Sequence, residues 1–199
     1  MAISYPLSLP TVTNPRSVEL RAINAVAYSQ SPFTFAGQSH AYQGQMWQVD
    51  VSLPPMRRTA AEQWIAFLVS LRGQYGTFLL GDTTCSSIRG TATSCSITGS
   101  SGDNTVSATV PSGETLLAGD YIQLGSASTA TLHKVLVDYT GTGAAADLEI
   151  WPALRVNRSS ASATLSSAKG NFRLSTNQQA WSINEASIYG ITFGAMEAI

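Results

Sequence analysis

Residues 47–82 read WQVDVSLPPMRRTAAEQWIAFLVSLRGQYGTFLLGD, a strand, a stop, a helix, a stop and a second strand. Trp47, Val49, Val51 and Leu53 alternate with Gln48, Asp50 and Ser52, the period of two that turns one apolar face of a strand toward a core. Pro54 and Pro55 end that ladder because neither can donate to it. Thr59 and Glu62 have the spacing of a capping box, which predicts a helix beginning at Thr59. Trp64, Ile65, Phe67, Leu68 and Leu71 recur at three- and four-residue intervals as one broad apolar stripe, and Gly73 stands where a left-handed residue closes such a helix. Residues 75–80 are aromatic and aliphatic enough for a buried strand. The expected unit is one amphipathic helix lying across a sheet.

Outward from this block the composition divides the 199 residues into three parts. Residues 1–82 carry the aromatic pairs Phe33 with Phe35, Tyr42 with Trp47, and Trp64 with Phe67, which are read as core residues. Residues 83–155 are rich in Ser, Thr, Ala and Gly, with short apolar alternations at 96–97, 106–110, 121–124, 132–137 and 148–151 separated by Gly-Asp and Gly-Thr-Gly turns. That spacing predicts a small antiparallel barrel or sandwich. Residues 157–169 are polar and read as an exposed hairpin or arm. Beyond them Phe172 and Leu174, Trp181 and Ile183, and Tyr189, Ile191, Phe193 and Ala195 alternate as strands. A good strand near the C-terminus needs partners, and the apolar partners lie before residue 82. The expectation is a mainly β chain with one principal α-helix. A discontinuous domain is built from residues 1–82 and 156–199, with residues 83–155 inserted as a separate β-domain.

Charge narrows the function classes. Asp, Glu, Lys and Arg make up 12% of the chain, about half the usual share, and the formal net charge is −1. A strongly basic nucleic-acid surface is absent, and a weakly charged Ser/Thr-rich surface suits broad contact with other subunits. No run reaches the roughly 18 apolar residues of a membrane span, so no membrane insertion is expected. Residues 1–13 lack the basic start and apolar run of a signal peptide, which predicts synthesis in, and retention by, the cytoplasm.

Catalytic chemistry finds little footing. Gly141-Thr-Gly143 leads into the alternation of residues 147–151 instead of a helix, so it reads as a hairpin loop and not a phosphate cradle. No Gly-x-Ser-x-Gly elbow is present, the carboxylates are scattered, and His40 and His133 have no ligand-spaced neighbours. Neither enzyme activity, nor a cofactor, nor a metal is expected. Cys85 and Cys95 could cross-link a hairpin, but a reducing compartment favours two free thiols. Core placement is expected for Trp47, Trp64 and Trp181. Arg57 and Arg58 read as a solvated basic pair or as a contact with a neighbouring subunit, and Asn157, Arg158 and Lys169 are further candidates for a subunit interface.

The order of three segments carries a resemblance: residues 28–35 (YSQSPFTF), the block from Trp47 to Asp82, and residues 181–198 (WSINEASIYGITFGAMEA). With residues 118–125, 132–135 and 151–155 in the insertion, they resemble the distal tail protein of long-tailed bacteriophages. The resemblance implies a structural virion protein, made in the bacterial cytoplasm and placed at the tail tip. Its discontinuous domain, a β-sandwich or split barrel, would form a homo-hexameric ring joining the tail tube protein to the baseplate hub and tail fibre proteins. The ring would leave a channel through which the tape measure and DNA pass. A carbohydrate- or receptor-binding module of a tail tip is the alternative expectation.

Overall fold

The computed structural model describes residues 3–83 and 86–199. Its strands run β1 (Leu7–Ser8), β2 (Ser17–Gln30), β3 (Gly37–Ser52) and β4 (Met56–Arg57), then helix α1 (Arg58–Ser70) and β5 (Thr77–Leu80). The middle supplies β6 (Ser96–Gly99), β7 (Thr105–Thr109), β8 (Thr115–Leu116), β9 (Tyr121–Leu124), β10 (Thr131–Val135), β11 (Tyr139–Thr140), β12 (Ala145–Trp151) and β13 (Arg158–Thr164). The chain closes with β14 (Gly170–Leu174), β15 (Trp181–Ile183) and β16 (Ile188–Glu197). The protein is mainly β, with one α-helix.

The two ends of the chain share one eight-stranded sheet in the order β1-β5-β14-β16-β3-β2, with β15 and β4 also paired to β16. The last strand changes partners along its length. Ile188 and Tyr189 pair with β4, residues 189–191 with β15, and residues 192–196 with β3. Its alternation of Tyr189, Ile191, Phe193 and Ala195 faces the same core as Trp47, Val49, Val51 and Leu53, and α1 covers it with Trp64, Phe67 and Leu68, joined by Leu71 at the helix C-cap.

The helix differs from expectation at its start. It begins at Arg58, with Arg57 extended at the N-cap and no side-chain cap. The reason is pairing: Met56 and Arg57 are held extended against β16, so the helix opens directly off a strand and Thr59 falls inside its first turn. Glu62 instead meets Arg58 at 3.3 Å, an exposed i,i+4 pair. At the other end both Arg72 and Gly73 have positive φ, 52° and 67°.

The middle strands close a barrel in the order β10-β12-β7-β6-β13-β9 around Ile97, Val106, Val110, Ile122, Leu124, Leu148 and Ile150. Residues 157–169 are therefore not an arm. Arg158–Thr164 pairs with both β6 and β9 and is the stave that closes the barrel. Its sequence, RSSASAT, shows only Ala163 to the core, too faint an alternation to read without its neighbours. The barrel thus reaches past residue 155. Trp181 also departs from expectation, because it is 40% exposed on β15, whereas Trp47 and Trp64 are buried. Cys95 is buried in the barrel, and Cys85 lies outside the described residues.

A candidate assembly surface on the projecting hairpin

Strands β2 and β3 outrun the sheet that holds them. β16 covers β3 only from Gln48 to Ser52, and β2 is the outermost strand. Beyond Asn24 and Gln45 the two strands pair only with each other, from Val26↔Ala41 to Gln30↔Gly37. Register slips between these two stretches, setting residues 42–44 of β3 against Ala25 alone. Such a bulge bends and twists a ribbon away from its parent sheet.

Every residue from Asn24 to Gly44 is exposed except Ser31, which is half-buried. One face of the ribbon carries Val26, Tyr28, Gln30, Ser39 and Ala41; the other carries Ala27, Ser29, Gln38, His40 and Tyr42. Small and polar residues alternate with isolated aromatics on both faces, so neither face can serve as a core side. Phe33, Phe35 and Tyr42, expected in the core, are 92%, 73% and 57% exposed. The turn is nevertheless well defined. Ser31 Oγ accepts from the amides of Phe33 and Thr34, the Phe35 amide donates to Ser31 O, and Gln30 Nε2 donates to Phe35 O. Tyr28 lies across Gly37, where a β-carbon would come within 2.5 Å of the phenol oxygen, so any larger residue there would push the tyrosine ring aside.

Charge sharpens the picture. Between Arg21 and Asp50 the sequence contains no Asp, Glu, Lys or Arg. Lone two-stranded hairpins are marginal in water, and neutral ribbons with two open edges and an apolar tip are templates for association unless something covers them. This was the signal available in the sequence: a long uncharged stretch whose aromatics, Tyr28, Phe33, Phe35 and Tyr42, keep no single alternation along its length.

The barrel clamps the base of this arm. Asn24 Oδ1 accepts from the Trp151 indole at 2.7 Å. Gln45 Oε1 accepts from the Ala153 amide and from Asn104 Nδ2, while Gln45 O accepts from Arg155 Nη2. The Trp47 indole donates to Leu132 O at 2.9 Å, and its ring meets Trp151 edge-on at 4.4 Å between centroids. The arm is thus held by both cores at its root, and its tip meets no other element among the described residues.

The residues singled out earlier as interface candidates fall into two groups. Arg57 and Arg58 stand at the start of α1. Asn157 accepts from the Ser101 amide, the Arg158 guanidinium donates to Thr129 O, and the Lys169 amide donates to Gln123 Oε1, all around the barrel. No described hydrogen bond or ion pair joins one group to the other. Among the described residues no cluster of His, Cys, Asp and Glu is arranged to hold a metal ion, and no helix is long and apolar enough to cross a membrane. Asp120, nearly buried, accepts from the amides of Arg89, Gly90 and Leu117 and pairs with the Arg89 guanidinium, so its oxygens serve to fix a loop. Compared with known proteins, the chain matches no family model and no curated sequence.

Proposed function

We propose that this chain is a structural subunit of a phage tail tip, a distal tail protein that assembles as a homo-hexameric ring between tail tube and baseplate hub. In this reading the two-ended sheet with α1 is the ring domain, a sandwich or split barrel whose corner is the change of partners along β16. The channel at the ring's centre passes tape measure and DNA. The protein performs no catalysis and needs no cofactor. One observation supports the reading beyond the resemblance: a neutral, apolar-tipped hairpin, rooted in both cores and uncovered among the described residues, is the kind of surface that association with another protein chain covers.

The exposed aromatics of the arm also favour a second reading, in which Tyr28 and Tyr42 stack on host sugars. The depression on the ribbon, lined by Ala27, Tyr28, Ser29, Gln38, Ser39 and His40, is shallow and widely open to solvent, unlike the enclosing clefts that bury a small ligand, so this reading ranks below assembly. Electron microscopy of the purified chain and of intact virions tests both. A six-fold annulus between tube and hub is the expected result. A lone peripheral fibre tip, or absence from the particle, would sink the ring, and glycan-array binding lost on Tyr28→Ala with Tyr42→Ala would install the alternative.

A further inference from the structure

We propose that the tip of the β2–β3 hairpin of one copy seats on strand β15 of the next copy, with Phe33 and Phe35 against Trp181 and Ile183. The inference rests on the ring reading and names the contact that would build it. The acceptor is identified by three properties of this same chain. Strand β15 is an edge, paired only with β16, so its outer backbone groups are open among the described residues. It presents an aromatic and a branched aliphatic side chain to solvent, Trp181 at 40% and Ile183 at 57% exposure. It is also locally neutral, since no charged residue occurs between Arg173 and Glu185.

Neutral matches neutral here. An uncharged donor seated on a charged surface would strip water from charges without pairing them, a cost that selects against such partners. The arm also has the reach: seven residues from Asn24 to Gln30 at about 3.3 Å each carry the tip roughly 20 Å from its root. Donor and acceptor are different surfaces of one molecule, so the contact is heterologous and propagates head to tail until it closes. Aromatic anchors filling such a contact are the residue types that dominate interface energy.

The test uses the full chain with Cys85→Ser and the buried Cys95 left in place. Phe33→Cys is made in one preparation and Ile183→Cys in another, and the two are mixed with a short bis-maleimide. A cross-linked pair that requires both preparations is expected, and a chain carrying both substitutions should give a ladder ending at a closed oligomer. A six-fold ring that yields no such pair overturns the docking while leaving the ring standing. A chain that neither self-associates nor cross-links overturns both. Phe33→Asp with Phe35→Asp, at two exposed positions, should leave the melting temperature unchanged and weaken self-association at least about tenfold; unaltered association would also defeat the proposal.

Discussion

Arg155 of the inserted barrel and Glu197 at the end of the final strand form a two-point ion pair, with Nη2 at 2.6 Å and Nε at 3.0 Å from the two carboxylate oxygens. Both side chains are largely out of water, and Glu197 also accepts from the Trp47 amide. The pair therefore ties together barrel, last strand and hairpin root. Truncating one partner strands the other charge, which costs about 3–5 kcal/mol. Arg155→Ala should lose stability on that scale in chemical denaturation, whereas Arg155→Met with Glu197→Leu should recover much of it. Equal losses in the single and double variants would mean the pair is not the source.

Excision of the barrel is expected to succeed only at the right cut. Leu80 of β5 and Gly170 of β14 are paired residues, so the insertion leaves and re-enters the sheet at adjacent points, and a short linker can bridge them. Replacing residues 83–155 should give an aggregating product, because it leaves β13 with neither of its barrel neighbours. Replacing residues 83–166 should give a folded but weakened sheet domain, since Trp47 loses Leu132 O and Glu197 loses Arg155. Circular dichroism and size-exclusion chromatography of the two products decide the matter.

Two substitutions on α1 separate packing from capping. Leu68 is buried between the helix and the sheet, so Leu68→Asp should abolish folding by placing an unpaired carboxylate in the core. Thr59 makes no cap bond. Thr59→Ala should change stability by less than about 0.5 kcal/mol, below the roughly 1 kcal/mol of a true N-cap. A loss of the full cap value in urea titration would show that the Thr59 hydroxyl caps the helix after all.

The apolar alternations at Trp47–Leu53 and Tyr189–Ala195 were readable because each buries one face against a single core, and the helix stripe was readable for the same reason at its own period. Strand β13 was not, since a stave made of Ser, Ala and Thr owes its place to the hydrogen bonds of its neighbours and hardly to its side chains. The capping box failed because strand pairing at Met56 and Arg57 outweighed a local hydrogen bond. Phe33, Phe35 and Trp181 misled in one direction: an aromatic left exposed on a hairpin tip or an edge strand has the same sequence signature as one that serves a core.

Cys95 offers a chemical check on the barrel. Burial pushes its thiol up to about 11, so almost none is thiolate at neutral pH, and the thiolate is the reactive form. In a Cys85→Ser variant the native chain should leave a thiol reagent such as DTNB unconsumed for hours and react fully once denatured. Rapid stoichiometric reaction of the native protein would place Cys95 at the surface.

His133 makes the acid side of stability predictable. It is fully buried in β10; Nδ1 lies 2.7 Å from Pro152 O and Nε2 lies 2.9 Å from Thr131 Oγ1. A carbonyl can only accept, so Nδ1 carries the proton, and the single proton of the Thr131 hydroxyl goes to Nε2 at 2.9 Å in preference to Leu124 O at 3.3 Å. Burial, assisted by the positive charges of Arg155 and Arg158, lowers the folded-state pKa from 6.5 to about 4. The unfolded chain therefore binds a proton below pH 6.5 that the folded chain refuses until about pH 4. Stability from this site is complete above 6.5 and drains away as pH falls between those values, by about 2 kcal/mol at pH 5. Urea denaturation at pH 7 and pH 5 should show a loss of that size, and His133→Gln, though less stable at pH 7, should show a much smaller one. An identical pH dependence in the variant would move the origin of acid sensitivity to the carboxylates.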